Sequence, residues 1–126
     1  MKIEHLGFNI ADPVAMAAWY CKNCGFKIVR QLPGPAKAHF IADGGASVLE
    51  IYNNPAAPVP DYKNMDPLLF HLALDSADPT ADATRLIAAG ATLLNETKMD
   101  DGSHLFMLRD PWGLAVQLVR RAKPLL

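Results

Sequence analysis

The side chains best suited to chemistry stand at the two ends of a stretch that the chain uses twice. His5 opens the first half and Glu50 lies in its last predicted strand; His71 opens the second half and Gln117 lies in its last one. The spacings are 45 and 46 residues. Imidazole exchanges protons near neutral pH, an ionised carboxylate can accept them and an amide cannot; each half begins with an imidazole and ends with a carboxylate or its amide analogue. A plainer reading stands beside this one: a strand histidine is commonly satisfied by its neighbours, and Glu50 can pair with a cation such as Arg30.

The elements that must position these residues follow from the duplication. His5-Leu6-Gly7-Phe8 through Ala17 returns as His71-Leu72-Ala73-Leu74 through Ala83 at a constant offset of 66, with seven of thirteen positions identical. Ile3 to Ile10 alternates, placing His5, Gly7 and Asn9 on one face and Leu6, Phe8 and Ile10 on the other, as in a half-buried strand. Asp12 and Pro13 supply an N-cap and first helical residue, Ala17, Tyr20, Cys21 and Cys24 share a helix face, and Gly25 stops it. Strands are predicted over 26–32, 37–42 and 47–53, with Asp43-Gly44-Gly45 as a hairpin turn. The second half repeats the plan with a strand over 70–75, a helix from Pro79 to Gly90, and strands over 91–98, 104–109 and 114–120. Each half is therefore β-α-β-β-β. Residues 54–68 hold four prolines and read as a semi-rigid linker between module 1 (1–53) and module 2 (69–121). The tail from Arg121 to Leu126 reads as loose.

The whole chain, 126 residues, is one ordinary domain by size, and halves of about sixty residues would each be marginal alone, so the two are expected to pack together. A net charge of -1 and a pI near 6.4 give no general attraction to nucleic acid or to anionic membranes. No apolar run reaches the roughly 18 residues of a membrane span, and the first residues lack a signal-peptide core, which points to a cytoplasmic protein. The pair Cys21-Lys22-Asn23-Cys24 has redox or zinc spacing, but it falls at the end of a helix with no second pair to complete a zinc set. Both thiols are expected to be buried and inert. His39 and His104 do not correspond at the repeat offset and are read as surface or cleft-lining residues.

Two tandem β-α-β-β-β modules, each opened by His and closed by Glu or Gln, resemble the vicinal oxygen chelate superfamily of glyoxalases, bleomycin-resistance proteins and extradiol dioxygenases. The most specific local match is Arg109-Asp110-Pro111-Trp112-Gly113-Leu114-Ala115-Val116-Gln117-Leu118, similar to the family's closing turn and strand. The resemblance implies an α+β fold of glyoxalase-like half-barrel sheets enclosing a cleft. Carried over residue by residue, it implies His5, Glu50, His71 and Gln117 as ligands of a divalent metal (Ni, Zn, Mn, Co or Fe(II)), an octahedral site suited to such donors. Gln117 departs from the family's usual Glu, and an amide is no base, so Glu50 becomes the implied catalytic base. The leading reading is a metal-dependent lyase or isomerase of the glyoxalase and epimerase kind, in which Glu50 abstracts a proton next to a metal-chelated carbonyl of a small molecule. An Fe(II) dioxygenase would use His5, His71 and Glu50 as its facial triad. A non-catalytic small-molecule-binding protein of the bleomycin-resistance type is the third reading. Asn9, Tyr52 and Asp75 are candidates for lining the cleft. A homodimer is expected, since each module leaves an open sheet edge.

Overall fold

A computed structural model describes residues 1–125, and in it the same short element series occurs twice. In the first series β1 (Leu6–Asn9) is followed by α1 (Pro13–Cys24), β2 (Lys27–Gln31), β3 (His39–Ala42) and β4 (Val48–Tyr52). In the second, β5 (Leu72–Asp75) precedes α2 (Pro79–Ala88), β6 (Thr92–Lys98), β7 (His104–Arg109) and β8 (Ala115–Arg120). The fold is α+β, two tandem βαβββ modules with one helix and one four-stranded mixed sheet each, in the orders β1-β4-β3-β2 and β5-β8-β7-β6. The chain divides into compact units at Pro60 and Asp61, so residues 54–60 pack with the first unit and 61–68 with the second.

Both helices start by the same device. Asp12 and Asp78 each accept a backbone N–H three residues on, from Ala15 and Ala81 at 3.0 Å, and proline follows each aspartate at the first helical position. Pro13, Met16, Ala17 and Tyr20 form the buried stripe of α1, and Pro79, Ala83 and Leu86 that of α2. Across from the first stripe lie Ile41, Leu49 and Ile51; across from the second lie Leu108, Val116 and Leu118, all buried.

Several expectations from the sequence need correction. Cys21 and Cys24 are half-buried rather than buried, because the inward line of α1 runs through Ala17 and Tyr20 and leaves the two thiols on its flank. Leu6 is exposed, since it begins an edge strand ahead of the helix cover, although Phe8 and Ile10 on the same face are buried. His39 and His104 are not surface groups. Each is the buried first residue of a strand, and each ring is held: the His39 Nδ1–H donates to the Lys37 carbonyl at 2.6 Å and the His104 Nε2–H to Glu96 at 2.7 Å. The His104 hydrogen bond holds the exposed Glu96 carboxyl below the usual carboxylate range. The Asn9 amide donates to the carbonyls of Asn54, Ala57 and Pro58 and accepts from the Asn54 N–H, fastening residues 54–58 to β1. The tail is tied at one point, where the Ala122 N–H donates to Ser103 Oγ at 3.1 Å, and Leu126 lies outside the described residues.

The turn before β8 is the most heavily fastened part of the second unit. Buried Asp110 accepts the N–H groups of Trp112 and Leu114 through one carboxylate oxygen, at 2.9 and 3.0 Å. Arg109 donates to the carbonyls of Gly113, Tyr62 and Met65, locking the turn against residues 62–65. Gly113 has φ +90, and a Cβ there would stand 2.7 Å from the Lys63 nitrogen and 2.8 Å from its Cα, both backbone atoms. Gly113→Ala therefore combines a left-handed alanine with a backbone clash and is expected to destabilise the protein by about 2–5 kcal/mol in urea unfolding. A loss below about 1 kcal/mol would show that the 62–65 segment is free to retreat.

Candidate functional site

Within each unit the first and last strands of the module are parallel neighbours, and the registers coincide. Gly7 is paired with Glu50 in one sheet and Ala73 with Gln117 in the other. Across the next strand pair, Glu50 meets Phe40 and Gln117 meets Met107. Since side chains alternate along a strand, Glu50 projects away from its buried neighbours Leu49 and Ile51, and Gln117 away from Val116 and Leu118. His5 and His71 immediately precede β1 and β5, and His5 lies against Glu50 and Phe40.

In the first unit the structure brings two of the sequence-predicted residues into contact. His5 Nε2 lies 3.3 Å from Glu50 Oε2, with the side chains 37% and 21% exposed. The other ring nitrogen, Nδ1, pairs with Glu4, and the ring meets Phe40 edge to face at 5.7 Å. That Glu4 hydrogen bond, more than the charges of Glu4 and Glu50, raises the His5 pKa above its ordinary value. Glu50 forms no ion pair with Arg30 among the described residues; its partner is His5.

In the second unit the His71 Nδ1–H donates to the Pro67 carbonyl at 2.9 Å. A carbonyl only accepts, so Nδ1 carries a hydrogen, the arrangement that orients metal-ligating histidines through their other nitrogen. Gln117 is half-buried and its amide makes no side-chain hydrogen bond among the described residues. Among those residues no group of three or more His, Cys, Asp or Glu comes together. In the first unit His5 and Glu50 are in contact, whereas no contact joins His71 and Gln117 among the described residues. The chemistry of the four donors fits a divalent ion: adjacent ligands each at about 2.1 Å from an ion stand about 3.0 Å apart, close to the His5–Glu50 separation.

A pocket of about 400 Å³ in the first unit is lined by the 32–38 loop together with Glu50, Tyr52 and Asn54. Sequence reasoning named Tyr52 but missed the loop, whose residues carry no recognisable motif. A second cavity, about 540 Å³, lies in the other unit among Ala73, Asp75, Val119, Arg120 and the tail residues Pro124 and Leu125. Asp75 thus does line a pocket, although nothing ties it to Gln117.

Comparison with known proteins now bears on this geometry. Residues 2–118 match the family model of the Glyoxalase/Bleomycin resistance protein/Dioxygenase superfamily, and the chain belongs to that superfamily. No curated protein sequence matches it. Among solved structures it is similar to a glyoxalase/bleomycin resistance protein/dioxygenase family enzyme from Burkholderia phytofirmans, at 19% identity and a TM-score of 0.77, covering 94% of this chain and 98% of that one. It is similar also to an antibiotic binding protein from a Streptomyces species, at 20% identity and a TM-score of 0.71, covering 94% and 93%. A glyoxalase I mutant from Zea mays aligns at 19% identity and a TM-score of 0.76; there 97% of this chain spans 46% of the maize chain. At these identities the likeness is one of fold. No helix among the described residues is long and apolar enough to cross a membrane.

Gly7 gives a test of which groups this face presents. A Cβ built there would lie 3.4 Å from a Tyr52 ring carbon and 3.6 Å from both Glu50 Oε2 and the Tyr52 hydroxyl, in ordinary contact. Alanine already stands at the matching position, Ala73. Gly7→Ala is expected to change unfolding free energy by no more than about 1 kcal/mol while slowing carbodiimide modification of Glu50, read by mass spectrometry. Unslowed modification would mean that the carboxylate is approached from elsewhere.

Proposed function

We propose that the protein is a metal-dependent lyase or isomerase of the glyoxalase and epimerase kind, with His5, Glu50, His71 and Gln117 as the ligands of a divalent metal and Glu50 as the proton-transferring base. The observation that carries this reading is the 3.3 Å approach of His5 Nε2 to Glu50 Oε2 on the helix-free face of the first sheet. A divalent ion, when bound, would supply Lewis acidity toward vicinal oxygens of a small-molecule substrate. The chain's own residues do the rest. Glu4 and the Pro67 carbonyl orient the two imidazoles through Nδ1, leaving Nε2 for coordination. Glu50 is the one carboxylate among the four, and it lines the 400 Å³ pocket, so it is the group placed to accept a proton from a substrate C–H. Gln117 contributes a neutral oxygen and cannot act as a base.

A second reading, small-molecule sequestration without chemistry, is supported by the fold shared with an antibiotic binding protein. Metal uptake and proton exchange separate the two. His5→Ala should cost more than the roughly 10–100-fold in metal affinity that an outer-shell change brings. Glu50→Gln keeps a donor oxygen and should lose affinity only in part, while deuterium exchange of the C–H groups of dihydroxyacetone falls by about 10²–10⁴. Gln117→Glu adds a negative charge and should tighten metal binding. Unchanged metal content in both His5→Ala and Glu50→Gln would make sequestration the better reading.

The active form is proposed to be a symmetric homodimer. Both sheets have open edges, and Leu68 and Leu69, ahead of β5, are strongly exposed apolar residues. Light scattering should return twice the chain mass of 13.7 kDa, and a value near the single-chain mass in dilute solution would refute the dimer.

A further inference from the structure

The wall of the first unit's pocket contains a strained residue that the backbone gives no reason to be a lysine. Lys37 has φ +48, and among the described residues it is the non-glycine found in the left-handed region. Glycine or asparagine would occupy such a position at less cost, and holding a bulkier side chain there takes about 1 kcal/mol or more. The surrounding loop is built to maintain it. The Lys37 N–H donates to the Gly34 carbonyl at 3.2 Å, the Leu32 N–H to the Ala38 carbonyl at 3.0 Å and the Asn53 N–H to the Ala36 carbonyl at 2.8 Å. The buried His39 ring holds the Lys37 carbonyl at 2.6 Å. A loop pinned at four points is a preorganised surface, and its one cation is Lys37.

The charges on the pocket lining complete the argument. Lys37 and Glu50 are its charged members, and they do not pair with each other; Lys37 forms no ion pair among the described residues. Tyr52 and Asn54 add neutral hydrogen-bonding groups beside Glu50. A cavity of about 400 Å³ is in the range of small-molecule sites. We infer that Lys37 is a specificity-determining residue that selects small organic anions, engaging one carboxylate at the loop end of the pocket while the rest of the ligand extends toward the neutral hydrogen-bonding groups of Tyr52 and Asn54. The inference shares with the proposed function only the premise that the Glu50 face binds ligand, and it requires no metal.

The test is therefore run on protein kept metal-free with EDTA, so that it can fail or succeed independently of metal uptake. Malonate, succinate and glutarate are titrated at low ionic strength by amide NMR, each against its neutral diamide of nearly equal shape. At least one dicarboxylate should bind about tenfold more tightly than its diamide, with shifts at Lys37, Ala38 and Tyr52, and 0.5 M salt should erase most of the difference. Lys37→Gln should bring the dicarboxylate to the level of the diamide, and Lys37→Arg should retain the preference. An unaltered thermal melt for Lys37→Gln shows that the loop still folds; were it altered, the Arg variant alone decides. Equal binding of acid and amide, a preference that survives in Lys37→Gln or disappears in Lys37→Arg, or no saturable binding of any dicarboxylate would overturn the inference.

Discussion

Everything functional in this chain depends on one pairing, the parallel contact between the first and last strands of each module. A parallel pair cannot be closed by a tight turn; it needs a long connection, and here that connection is the helix with two antiparallel strands. The pairing brings residues 45 or 46 positions apart side by side, Gly7 beside Glu50 and Ala73 beside Gln117, and sets which face each presents. A slip of one residue would turn Glu50 into the apolar layer under α1 and Leu49 out of it, so burial of Leu49 and Ile51 enforces the position of the carboxylate between them.

The two modules use the same frame for unequal ends. Where the first has Gly7, Asn9 and Glu50, the second has Ala73, Asp75 and Gln117. Asn9 ties down residues 54–58, whereas Asp75 is exposed beside a pocket bounded by the tail. The first face is the more open and carries the charged donor; the second is covered at Ala115, Met107 and Val119 and carries the neutral one. The ionisable carboxylate is accordingly confined to one of two strand pairs of matching register.

Much of this was legible in the sequence because it rests on local rules with strong signatures. The repeated Asp-Pro helix starts, the 66-residue offset and the alternation in the last strands announced two βαβββ modules, with strand ends misplaced by one to three residues. The repeat marked His5 and Glu50 as corresponding ends of a module, and their coming together was implied by the family resemblance. What stayed hidden depends on contacts distant in sequence. Asn9 looks like any polar strand residue until residues 54–58 close over it, and His104 looks solvent-facing until Glu96 of the neighbouring strand supplies its partner. The left-handed conformation of Lys37 had no signal at all, because lysine is not a residue that marks such positions.

One feature of the hairpins bears on how such a protein can change. Each second strand carries a register shift at the corresponding place, between Ile28 and Arg30 and between Leu93 and Asn95. Beyond that bulge the second module continues its ladder through Thr97 with Leu105 and Lys98 with His104, where the first breaks off into the 32–38 loop that walls the pocket. The bulge acts as a fixed mark from which the sheet is measured, and the hairpin tip beyond it can lengthen, shorten or dissolve into loop without disturbing the strands that hold Glu50. Pocket wall and scaffold are thereby separable, so grafting new hairpin tips onto this frame is a route to reshaped pockets that leaves the paired strands untouched.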